Sequence, residues 1–135
     1  MEDSFYLSSM SATLPRTIEP ETDQLQEFLG AEIKGTIHMV NLLRFREDGG
    51  REDYMRYAKA VVPCLDRVGA RMLSWLDSQV TVIGPDQWDV VLVVEYPSKR
   101  AFYELIKDPE YQKIAPIRSK ALIDSRLHCT QPASL

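Results

Sequence analysis

The sequence predicts an α+β domain, and three observations carry that prediction. The 135 residues are 44% hydrophobic, enough to build one sizeable core but not two. Residues Trp88 to Tyr96 (WDVVLVVEY) hold five successive aliphatic residues, mostly β-branched, which suits a strand at the centre of a sheet. Strand-like segments are separated by segments of helical period in the order strand, helix, strand, strand, helix, strand.

Residues 1 to about 20 are rich in Ser, Thr, Pro and Glu without a period, as in a loosely held arm that is either disordered or docked. A short helix follows from Glu21 to Leu29, with Leu25, Phe28 and Leu29 on one side, Thr22 or Asp23 as N-cap and Gly30 as its end. Thr36 to Phe45 is apolar on both parities, as a strand covered on both faces requires. A turn at Glu47 to Arg51 opens a helix whose apolar residues are Tyr54, Ala58, Val61, Leu65 and Val68, with a kink expected at Pro63 and an end at Gly69.

Arg71 to Leu76 and Gln79 to Ile83 read as one long strand, bulged near Asp77 and Ser78. Gly84 to Asp86 turns the chain into the strand that ends at Tyr96. Ser98 is placed to cap a helix with the apolar face Ala101, Phe102, Leu105 and Ile106, and Asp108 followed by Pro109 starts another through Tyr111, Ile114 and Ala115. Leu122 to Thr130 is the last strand. The order is that of the ferredoxin-like split βαβ unit, βαββαβ with an antiparallel sheet. The expected division is an arm with a short helix over 1–34, the ferredoxin-like domain over 35–131 and a tail over 132–135. Helices on one face of such a sheet leave the other apolar face to be covered, and a homodimer through the sheet face is the economical expectation.

A formal net charge of -4 and a pI near 5.2 give no basic field for phosphate backbones, so no nucleic-acid partner is expected. The acidic N-terminus lacks the features of a secretory signal, and no apolar run approaches membrane-spanning length. Cys64 and Cys129 form no metal-binding or disulfide pattern. These features lead to the expectation of a cytoplasmic chain with no membrane partner, no metal and no cofactor.

Several phrases together resemble the DUF1330 proteins of the dimeric α/β-barrel superfamily: Val40 to Phe45, Tyr57-Ala58, Gly69 to Arg71, Trp88-Asp89, Glu95 to Ser98, Asp108 to Gln112, and Arg118. They run in consistent order over roughly residues 35 to 130. One departure is Ala70, where the family usually has a second glycine before the arginine. The resemblance implies a sheet-to-sheet dimer forming a dimeric α/β-barrel, with a cavity between each sheet and its helices. It also implies kinship with cofactor-free monooxygenases, isomerases and haem-degrading proteins, but no activity for this branch.

The candidate ligand-binding residues are Asn41, Arg44, Tyr57, Arg71, Trp88, Glu95, Tyr96, Tyr111 and Arg118. A cavity lined by Arg44, Arg71 and Arg118 would suit a carboxylate, whereas the competing reading pairs each arginine with a structural acid such as Glu95, Asp89 or Asp124. Asn41 interrupts an apolar strand, so its amide either meets backbone partners or faces a cavity. The tyrosines and Trp88 either orient a substrate at a pocket mouth or serve as core aromatics with polar tips.

His38 and His128 lack metal-ligand spacing, and Ser74, Ser98 and Ser125 lack a nucleophile-elbow pattern. No catalytic residue is legible. Two functional readings result: a cofactor-independent, monooxygenase- or isomerase-like enzyme acting on a small organic or anionic substrate, and a non-catalytic dimeric module that binds or senses a metabolite. A third makes the cavity a filled core and the arm a contact element for other proteins.

Overall fold

The computed structural model describes residues 17–134, so most of the arm expected over the first twenty residues lies outside the described part. In chain order the elements are α1 (Thr22–Gly30), β1 (Ile37–Phe45), α2 (Gly50–Ala60), α3 (Val62–Arg67), β2 (Arg71–Asp77), β3 (Val90–Tyr96), α4 (Lys99–Lys107), α5 (Pro109–Ala121) and β4 (Leu122–Thr130). The strands lie in the order β2-β3-β1-β4, and every pairing is antiparallel, the ferredoxin-like arrangement.

The sheet is open. Its edges, β2 and β4, do not pair with each other, so the expected dimeric α/β-barrel is corrected to an open four-stranded antiparallel sheet. Four strands are too few to bend their two edges together around an interior, and the helices pack across the inner face.

β1 buries Ile37, Met39, Asn41, Leu43 and Phe45 on the inner face, and β3 buries Val90, Leu92, Val94 and Tyr96 beside them. The alternate residues His38, Val40, Leu42, Val91, Val93 and Glu95 are half-buried on the outer face. Their alternation follows from the two-residue period of a strand, with a core on one side only. Tyr54 and Tyr57 from α2, Val61 at its end, Cys64 and Leu65 from α3, and Phe102 and Leu105 from α4 pack into the same core.

The long helix expected from Arg51 is two helices broken at Val61, because Pro63 has no N–H to continue the hydrogen-bond ladder. Gly69, at φ +77°, then reverses the chain. The caps at Ser98 and Asp108 form as expected: their side chains accept hydrogen bonds from the Ala101 and Glu110 amides at 3.0 and 2.9 Å. The cap expected on α1 does not form, since Glu21 occupies the N-cap position without a side-chain cap bond. This helix is tied down from outside instead, by Lys99 Nζ donating to the carbonyls of Leu29, at 2.6 Å, and of Ala31, and by Phe28 meeting Phe102 edge-on at 5.6 Å.

The strand expected over Gln79 to Ile83 is absent. β2 ends at Asp77, paired with Val90, and no neighbouring strand lies opposite the residues beyond it. Val80, Val82 and Ile83 stand 76%, 87% and 93% exposed. β-propensity without a partner backbone does not make a strand. The bulge lies between Met72 and Ser74 rather than near Asp77.

Candidate functional site

Between the inner face of the sheet and the helices lies a cavity of about 1100 Å³. Its polar residues come from elements far apart in sequence. Tyr54 and Tyr57 stand three residues apart on one face of α2, Tyr111 and Arg118 come from α5, Tyr96 ends β3, and Asn41 sits midway along β1.

The aromatic rings interlock. Tyr54 lies 5.2 Å from Tyr57 and 5.8 Å from Trp75 between ring centroids, Tyr57 lies 6.2 Å from Tyr111, and Tyr96 lies 5.3 Å from Phe102. The Tyr57 and Tyr111 hydroxyls share a hydrogen bond of 3.0 Å. Asn41 is 9% exposed, and its amide donors reach the Met39 and Leu92 carbonyls at a long 3.4 Å each. These are weak bonds.

Arg118 is the charged centre of the cavity. The residue keeps contact with the open space, while its guanidinium is surrounded by protein on nearly all sides. Nη1 donates to the Ile18 carbonyl at 2.8 Å, and the Tyr54 phenol interacts electrostatically with the side chain. A guanidinium has more donors than these two partners use, and no described carboxylate pairs with it. Burial works to lower its pKa, but the phenols of Tyr54, Tyr57 and Tyr111 outweigh that and raise it, so the group stays charged. Burial likewise raises the phenol pKa values of Tyr54, Tyr57 and Tyr96, most strongly for Tyr57 and Tyr96.

The segment before α1 closes one side. Ile18 is 3% exposed and joins the core. Thr17 Oγ1 donates to Asp124 at 2.5 Å, Ser119 Oγ to Glu19 at 2.7 Å, and Ser125 Oγ to the Thr17 carbonyl. Sequence reasoning did not place Ile18, Glu19 or Ser119 here, because such contacts span about a hundred residues. Tyr54 was legible only as an apolar helix position; its three-residue spacing to Tyr57 was the available signal.

The remaining candidates lie elsewhere. Arg71 is on the outer face, where its Nε donates to Glu95 at 2.9 Å, and His38 Nε2 meets the same carboxylate at 3.2 Å. The Arg71 hydrogen bond, with His38 contributing, lowers the Glu95 pKa. Arg44 is exposed, in register with Asp124, and outside the cavity. Trp88 carries the Arg126 guanidinium over its ring at 5.2 Å, and the neighbouring Asp89 accepts from the Phe45 amide at 2.8 Å. Structural pairing thus holds Arg71 and Glu95, whereas Arg118 alone of the three arginines reaches the cavity. Burial raises both thiol pKa values, of Cys64 and Cys129. Among the described residues no cluster of His, Cys, Asp or Glu has the makings of a metal site.

Fold and cavity together define a small ferredoxin-like α+β protein with a tyrosine-ringed arginine under its helices. Residues 47–128 match DUF1330, a domain of unknown function, and the chain belongs to that family. A protein of unknown function from Rhodopseudomonas palustris is 34% identical, with 87% of this chain and 98% of that one covered at a TM-score of 0.82. An Arabidopsis thaliana protein (18% identity, 73% and 97% covered, TM-score 0.60) and a NIPSNAP-like domain protein from Burkholderia xenovorans (20% identity, 73% and 86% covered, TM-score 0.54) share the fold. No curated protein matches the chain. Among the described residues no helix is long and apolar enough to cross a membrane.

Proposed function

We propose that the protein is a non-catalytic binding or sensing module that holds a small organic anion in the cavity between sheet and helices. The observation that carries this reading is Arg118, a deep cation facing open space without a described carboxylate partner. An unpaired charge is costly to bury, and a bound carboxylate would supply the missing partner through charge-assisted hydrogen bonds. The Tyr57, Tyr111 and Asn41 side chains offer additional polar contacts. Tyr54, Tyr57 and Tyr96 are held in their neutral phenol form, which favours holding a ligand over abstracting a proton from it.

The half-buried outer row of Val40, Leu42, Val91 and Val93 supports a homodimer through the sheet face. Native mass spectrometry of gently purified protein tests both parts. A dimer with a reproducible extra mass, lost in Arg118→Gln, is expected. A monomer overturns the assembly. If a panel of carboxylic acids leaves the melting temperatures of wild type and Arg118→Gln equally unchanged, the anion site is overturned.

A further inference from the structure

The lining of the cavity narrows the class of anion, given the reading of Arg118 as its anchor. We propose that the ligand is an amphipathic carboxylate whose aliphatic tail of medium length runs along the inner face of β1 from Arg118 toward α1.

The first reason is a continuous apolar stretch of lining along β1. Asn41 is in register with Leu92, and Leu92 with Trp75, which packs on Tyr54, a phenol in the electrostatic field of Arg118. Tyr54, on the charged group's side of the cavity, therefore packs at the end of the Asn41 row of the sheet. The next inward row is Met39 beside Val94, and the last is Ile37 beside Tyr96, against which Phe102 and then Phe28 of α1 pack. Met39, Val94, Phe102, Leu25 and Phe28 form an apolar strip of the lining, beside which Glu21, Gln24 and Glu27 also line the cavity. Four residues of strand at ~3.3 Å each make this apolar track ~13 Å long, the reach of a medium-chain alkyl group.

The second reason is capacity. A cavity of about 1100 Å³ is far larger than a compact acid needs. With only a short acid on Arg118, water would have to cover the apolar walls, whereas a tail removes them from water. Each methylene so buried strengthens binding about fourfold.

Titration calorimetry of the full chain with butyrate, decanoate and decan-1-ol tests the proposal. Decanoate is expected to bind at least ~100-fold more tightly than butyrate, a discounted sum over the added methylenes. Phe28→Trp, which fills the far end of the track, is expected to shrink that ratio, with circular dichroism confirming the fold. Arg118→Gln is expected to weaken decanoate by ~10-fold or more.

Butyrate binding as tightly as decanoate overturns the tail and leaves the anion site standing. Decanol binding as tightly as decanoate, with Arg118→Gln indifferent, overturns the anion site instead. Failure of every probe to bind overturns both.

Discussion

The Tyr57 hydroxyl on α2 meets the Tyr111 hydroxyl on α5 at 3.0 Å, across 54 residues of sequence. This bond joins the two helices that roof the cavity, and it does so where burial leaves little water to replace it. Both phenols belong to the ring around Arg118.

Tyr57→Phe deletes that bond and leaves the aromatic packing intact. The expected cost is about 1 kcal/mol, read from the urea midpoint at an unchanged slope. Tyr111→Phe should cost a similar amount, and the double variant less than the sum, because the two residues share one bond.

Ile18 packs into the core while the backbone around it is held by Arg118 and Ser125. Ile18→Ala is expected to destabilise the fold by about 2 to 3 kcal/mol, toward the low end for a large-to-small core change because the segment can relax. Hydrogen exchange should report the loss first at residues 17–21, before the sheet is affected.

The raised phenol pKa values give an alkaline signature. Tyr54 and Tyr57 have folded values above the ordinary 10.0 of the unfolded chain, so their contribution to stability is fully present below pH 10 and is lost as pH rises toward the folded values. An ultraviolet titration should show these phenols resisting ionisation until the protein unfolds. Normal ionisation near pH 10 in the folded protein would contradict their burial.

Asp108 gives the opposite sign. Arg67 bonds its carboxylate at 2.7 Å and, together with the Glu110 amide, lowers its pKa below the ordinary 3.8. Its stabilising contribution is therefore present above that value and lost as pH falls through the lower folded one. Arg67→Ala should flatten the stability profile between pH 5 and pH 2 while changing the alkaline limb little.

Local chemistry made much of the architecture legible. Ser98 and Asp108 cap their helices because a side-chain oxygen two or three residues from an amide needs no tertiary context. Leu122 to Thr130 begins and ends as a strand where its sequence pattern does. Val80, Val82 and Ile83 misled because alternating apolar residues describe a strand only where a partner strand pairs with them, and among the described residues none does.

The sequence by itself determined the order of the elements and the helix starts at Ser98 and Asp108, because periodicity and capping act over a few residues. Only the tertiary structure decided that Arg118 enters the cavity while Arg71 is paired with Glu95 and Arg44 lies in the open, that Ile18 closes one side, and that the sheet stays open at both edges. Those outcomes depend on which distant segments meet, and local pattern does not encode a contact between residues 18 and 118.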